Sequence, residues 1–280
     1  MSLCAILAVL TVLEASLALP KGQNPLPGEP FSYWVAKTDS LPSARIIGGQ
    51  EALPHAYPYQ VGLYCHSIGL TNFCGGSLVS ANFVLTAAHC VNGVVTVDVV
   101  LGAHDIGEVE DTQVRSTSDE FVIHPGWDKQ KLVNDIALVK LKAPVLETSY
   151  IKVIKIAKGA DTFAGKEGLT IGWGKTTNDQ SGVTPQLRYV VSDILSNDNC
   201  KSIDPYGTVI QPTHLCVSGL LYSDRVGACN GDFGGPLVVD GVQVGISSFG
   251  YKDCGVGKPD VFTRLTEYSD WIRENSDVDV

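Results

Sequence analysis

The sequence predicts an all-β protein, a sandwich or a barrel, finished by one helix near its end. From residue 46 onward, short apolar runs rich in β-branched residues alternate with Gly, Asn, Asp and Pro, as in GGSLVSANFVLTAAHC, VVTVDVVLGAHD and GLTIGWG. Short runs at regular spacing read as strands joined by turns. VVDGVQVGI places Asp240 and Gly241 between two such runs, and Asp-Gly signals a hairpin because both residues tolerate the positive φ of its turn. The one good helical pattern after the strands is LTEYSDWIREN, where Leu265, Tyr268, Trp271 and Ile272 fall on one face.

Composition allows a substantial core: hydrophobic residues are 44% of the 280 and charged residues 18%. That length fits one large or two small domains. The formal net charge is -10, and no run of Lys or Arg is long enough to neutralise phosphates. Nucleic acid is therefore not an expected partner, and neither is an anionic membrane surface.

The first residues, MSLCAILAVLTVLEASLALP, form an apolar run with small Ser16 and Ala18 near its end. They read as a secretory signal over residues 1–18. Glu14 interrupts the run, which leaves it short of the ~20 apolar residues a membrane span needs. Residues 19–45 are rich in Pro and lack any period, as expected of a flexible extension. Residues 46–280 form the folded domain. Eight cysteines suit an oxidising, extracellular destination. Losing Cys4 with the signal leaves an odd number, so at least one thiol has no partner. No C-x-x-C, His-x-His or H-E-x-x-H pattern occurs, so neither a metal nor any other cofactor is expected.

Four motifs carry chemistry together, although none does so alone. RIIGG follows the Pro-rich extension, LTAAHC contains His89, NDIALVKL opens with Asp135 beside an apolar strand, and CNGDFGGPL spans Cys229 to Leu237. Separately they read as a basic residue before a strand, a structural histidine, a strand cap and a tight turn. In the order His, Asp, then G-D-x-G-G-P, they match a hydrolase triad in which a buried carboxylate fixes the imidazole tautomer.

With those motifs in that order, the chain from Ile46 to about Asn275 resembles the chymotrypsin-like serine proteases. IIGGQEALPHAYPYQVGL, LGAHD, HPGWD and CGVGKPDVFTRL look most like arthropod chymotrypsins and collagenolytic serine proteases. The resemblance implies two packed antiparallel six-stranded β-barrels with a C-terminal helix and the site in the cleft between them. It implies disulfides Cys74–Cys90, Cys200–Cys216 and Cys229–Cys254, which leaves Cys65 as the odd thiol. It also implies activation by a trypsin-like protease that cuts after Arg45. The freed Ile46 α-amine has a reference pKa of about 8 and is largely cationic at pH 7, suited to pair with Asp232. No cysteine in residues 19–45 would tether the released propeptide.

By the same resemblance His89 is the base, Asp135 its orienting acid, and the amides of Gly231 and Phe233 the oxyanion hole. Gly227 lies at the floor of the specificity pocket, Ala228 beside it, Ser248, Phe249 and Gly250 along one wall, and Asp260 on another. A glycine at position 227 argues against simple Lys/Arg specificity. With Asp260 it resembles the collagenolytic pocket, which accepts varied side chains; the alternative for Asp260 is a solvated loop acid. The loop from Ala103 to Gln113, which holds calcium in trypsins, lacks both end carboxylates, so calcium is not expected.

Phe233 stands where the resemblance places the nucleophilic serine. A benzyl ring has neither a proton to give nor lone pairs to attack with. It must lean into the pocket mouth above Gly227 and Asp260, or push His89 aside. Thr86, Ser247 and Ser248 are nearby in the motifs, but the family's geometry points them elsewhere. The expected function is that of a secreted, catalytically inactive serine protease homologue that binds an extracellular protein or peptide as adaptor, decoy or regulator. The alternative is an active secreted chymotrypsin- or collagenase-like endopeptidase of which Phe233 is a variant or a sequence error, since Ser to Phe needs one base change. A purely structural secreted protein would leave the activation site, His89 and Asp135 unexplained.

Overall fold

A computed structural model describes residues 47–280. The expected signal and propeptide, with Arg45 and Ile46, lie outside the described residues. Strand β1 (Gln50–Glu51) is followed by β2 (Gln60–Ser67), β3 (Leu70–Leu78), β4 (Phe83–Thr86), β5 (Thr96–Leu101), β6 (Val114–Ser118), β7 (Phe121–Ile123) and β8 (Ala137–Lys140). After a crossing segment come β9 (Lys155–Ile156), β10 (Glu167–Gly172), β11 (Arg188–Leu195), β12 (His214–Val217), β13 (Leu220–Leu221), β14 (Asp224–Arg225), β15 (Pro236–Val239), β16 (Val242–Phe249) and β17 (Asp260–Arg264). Three short helices complete the fold: α1 (Ala88–Val91), α2 (Asn197–Lys201) and α3 (Ser269–Asn275).

The C-terminal half closes into a barrel. Its order is β11, β10, β15, β16, β17 and β12, and β12 returns to β11 through the pairs Ile194↔Val217 and Leu195↔Cys216. Inside it pack Ile194, Leu215, Leu237, Val244 and Phe262. The Asp240-Gly241 hairpin forms as expected, with φ of 50° and 77° joining β15 to β16.

The N-terminal half departs from the expected second six-stranded barrel. Its sheet runs β6-β5-β2-β3-β4-β8-β7, and no ladder among the described residues joins the two ends, so it is a half-barrel. The end strands are consecutive in the chain, separated only by Asp119 and Glu120. Those acids turn outward to Lys142 at 3.5 Å and Lys140 at 2.8 Å, and the Glu120 carbonyl accepts the Lys140 amide at 3.0 Å. Its core is apolar, with Val61, Leu63, Leu78, Leu85, Val97 and Leu138 fully buried.

The two halves meet closely enough to need glycine. A Cβ on Gly75 would come within 2.9 Å of the Gly235 Cα. Across the same seam the Ser77 hydroxyl donates to Gln243 Oε1 at 2.7 Å. All three expected disulfides are present, Cys74–Cys90, Cys200–Cys216 and Cys229–Cys254. Cys65 is free and buried, and burial pushes its thiol up to about 12. The C-terminal pattern also holds: Leu265, Tyr268 and Ile272 are buried, although the chain reaches α3 through a 3₁₀ turn over Leu265–Glu267.

Between β5 and β6 the loop around Ala103 to Gln113 folds about an amide nitrogen. Gln113 Nε2 donates to the carbonyls of Asp105 and Glu108 at 3.1 and 3.0 Å, and to Glu110 Oε2 at 3.1 Å. Glu110 also accepts the backbone amides of His104 and Asp105 at 2.7 and 3.2 Å.

Candidate active site

The cleft between the two sheets brings His89 and Asp135 together. Helix α1 follows β4 and places His89 at its second residue, while Asp135 precedes β8. Asp135 Oδ2 lies 2.7 Å from His89 Nδ1, and Asp135 Oδ1 accepts the His89 backbone amide at 2.9 Å. Only the tautomer with hydrogen on Nδ1 satisfies that contact, which leaves Nε2 as the free lone pair. The Asp135 side chain is 2% exposed and that of His89 31%. The Ser248 hydroxyl donates to Asp135 Oδ2 at 2.6 Å, and Thr263 Oγ1 donates to its backbone carbonyl at 2.8 Å. Residues from the C-terminal barrel thus fix an acid that belongs to the N-terminal half. Asn134, at φ 57°, is held by the Tyr268 hydroxyl at 3.0 Å.

Phe233 does not displace this pair. Its ring stands edge-on to the His89 imidazole, with centroids 5.6 Å apart and planes at 78°. His89 Nε2 faces the Cys90 sulfur at 3.6 Å. Cys74 and Cys90 bring two sulfurs near His89, but they are joined to each other and offer no thiolate to a metal. None of the alternative hydroxyls is placed to replace a serine. Thr86 donates to the Gly75 carbonyl at 2.8 Å, Ser248 to Asp135, and Ser247 is buried.

The loop around Phe233 keeps the shape of an anion hole. Gly231 adopts φ 107°, and a Cβ there would meet Val183 at 2.8 Å and the Gly174 Cα at 3.0 Å. Neither the Gly231 nor the Phe233 amide donates to any acceptor among the described residues. The Phe233 carbonyl accepts the Gly75 amide at 2.8 Å, and the Gly234 amide donates to the Ser247 carbonyl at 2.8 Å. Asp232 anchors the loop from below. It is fully buried and accepts the amides of Gly174 at 2.7 Å and Cys229 at 2.9 Å. Burial raises its carboxyl to about 6 against the pull of those two donors. A Cβ on Gly172 or Gly174 would run into this carboxylate. Beside it, the Gly227 amide donates to the Ile47 carbonyl at 2.9 Å, so the segment next to Ile46 is docked in this region.

The predicted pocket residues also converge. Asp260 opens β17 and accepts the Ala228 amide at 2.7 Å. A Cβ on Gly227 or Gly250 would meet an Asp260 oxygen, at 2.5 and 2.6 Å. Asp260 thus packs against Gly227, Ala228 and Gly250, the residues that the sequence groups with it. Burial raises it to about 8, opposed by the Ala228 amide and reinforced by the nearby Asp232 charge. Sequence reasoning placed Ser248 only on the pocket wall and did not find Thr263, Tyr268 or Asn134. Thr263 bonds Asp135 and Tyr268 bonds its neighbour Asn134, contacts that no local motif marks.

Comparison with known proteins identifies the family and the fold. The family model described as Trypsin matches residues 46–272. A brachyurin of Leptuca pugilator is 39% identical over 83% of this chain and 99% of its own length. A chymotrypsin of Phaedon cochleariae is 36% identical over 97% of both chains. Among solved structures, HL collagenase superposes with a TM-score of 0.75 at 31% identity, covering 84% of this chain and 100% of its own.

Proposed function

The chain belongs to the trypsin family of serine proteases, and from that premise we propose that it is a secreted member that binds protein or peptide in its cleft without cutting it. The Phe233 ring, packed against an otherwise intact His89–Asp135 pair, carries this reading. Acyl transfer needs a nucleophile whose proton the imidazole removes, and His89 has none to serve. An oxyanion hole and binding alone retain ~10³–10⁴-fold over water in proteases of this kind, well below the ~10⁶-fold or more of working enzymes. Three disulfides and the signal-like N-terminus support secretion. The unengaged hole, Asp260 and the cleft walls provide the surface for an extracellular protein or peptide, in the role of adaptor, decoy or regulator.

A second reading is favoured by the completeness of everything around Phe233. The hole, the Asp232 anchor and the His89–Asp135 pair suit an active endopeptidase of which Phe233 is a variant or a sequence error. A fluorophosphonate probe applied to protein cut after Arg45 separates the two. The first reading expects no labelling and is overturned by a covalent adduct.

A further inference from the structure

The geometry points to Asn230-Gly231, at the rim of the anion hole, as a site of self-modification in which the Gly231 amide nitrogen attacks the Asn230 side chain and expels ammonia. Asn230 is exposed, and its side-chain amide makes no hydrogen bond among the described residues. It is tied through the backbone, where its carbonyl accepts the Lys175 amide at 2.9 Å. Gly231 is itself buried, but its N–H is likewise unengaged, with no acceptor among the described residues. A glycine nitrogen also meets the least steric opposition, since no Cβ flanks it. Gly231 is held at φ 107°, a conformation that constrains the loop without occupying the nitrogen.

The reaction balances without an oxidant or a cofactor. Solvent base removes the Gly231 amide proton, nitrogen bonds to Asn230 Cγ, and the Cγ–Nδ2 bond breaks as ammonia leaves. The resulting cyclic imide then adds water at either carbonyl. One opening gives aspartate at position 230; the other gives isoaspartate, with the chain routed through the former side chain. The imide nitrogen carries no hydrogen, so ring closure removes one of the two hole donors at once. Hydrolysis restores that N–H but leaves a new carboxylate at position 230 beside the hole, which repels an anionic ligand. The site would act as a timer that turns the hole against anions, first by withdrawing a donor and then by adding a charge, whether or not the protein cuts peptides.

The test is peptide mapping of the full-length protein during incubation in mildly alkaline buffer, with the same protein in denaturant as reference. Asn92-Gly93, the chain's other Asn-Gly pair, is resolved from Asn230 by the map. The expected result is accumulation of aspartate and isoaspartate at position 230 at a rate within a few-fold of the denatured reference. Native isoelectric focusing should show an acidic shift that is diminished in Asn230→Gln. Asn230 remaining intact in the folded protein after the denatured reference has converted, or conversion confined to Asn92, would overturn the assignment.

Discussion

Phe233 lays its ring edge-on against His89 at 5.6 Å, while His89 keeps its 2.7 Å contact with Asp135. The aromatic residue is thus accommodated by the base rather than forced between base and acid. An edge-to-face pair contributes about 0.5–1.5 kcal/mol beyond burial, too little to organise the loop. The loop is instead held by Asp232, Gly75 and the disulfide at Cys229.

Phe233→Ser should therefore leave the loop in place. It removes the ring pair, which costs about 0.5–1.5 kcal/mol, and a small fall in melting temperature is expected. It also supplies a hydroxyl beside a base already in the correct tautomer. The cut variant should react with a fluorophosphonate and hydrolyse peptide substrates that the unmutated protein leaves intact. A folded variant that still fails to label would place the defect elsewhere in the cleft.

Much of this arrangement is legible in the sequence because it lies in contiguous motifs. His89, Asp135, Asp232 and the three disulfides sit in short local patterns, and the family those patterns resemble assigns them. The half-barrel is not legible in the same way. Asp119 and Glu120 separate its two end strands, and two adjacent acids look alike in a turn and on a strand edge. The support of Asp135 by Thr263, and of Asn134 by Tyr268, is hidden for another reason. These contacts join residues 128 and 134 positions apart, and only the fold brings them together.

Asp135 is the most connected acid in the cleft, and its removal should be costly. Asp135→Ala strands the His89 ring N–H, the His89 amide and the Ser248 hydroxyl without their acceptor. Each unsatisfied buried donor costs about 1–3 kcal/mol. Denaturant unfolding should register a loss of at least about 2 kcal/mol, with the three disulfides still formed. A loss under half of that would mean that water reaches these groups and that the acid is less enclosed than its burial indicates.

The Gln113 amide occupies a position among oxygens that a hard cation could share. Gln113→Glu turns the donor into a carboxylate facing Glu110 and the carbonyls of Asp105 and Glu108. Without metal, the variant should lose about 1–3 kcal/mol through stranded, mutually repelling acceptors. Calcium favours such all-oxygen surroundings and should restore melting temperature to the variant but not to the parent. Equal calcium response in the two proteins would show that Gln113 is not what occupies that position.

Asp260 gives the protein a pH dependence of definite sign. Its carboxyl is raised from 3.8 to about 8 in the folded chain, so between those values the folded state holds a proton that the unfolded state has released. Stability must then fall as pH rises through this window and level off above about 8. Asp232, raised to about 6, adds a fall of the same sign over the lower part. Asp260→Asn should flatten the upper part of the profile, from about 6 to 8, and leave only the Asp232 share of the fall below it. In the proposed reading, in which Asp260 lines the binding pocket, the same proton also sets the pocket's charge. Below about 8 Asp260 offers a neutral wall suited to apolar side chains, and above it a charge that attracts a cation. Binding of a small arylamidine, followed by calorimetry, should therefore tighten as pH rises through about 8 and lose that dependence in Asp260→Asn. Binding that is independent of pH in the parent would mean that the carboxyl is already ionised and that the pocket is permanently acidic.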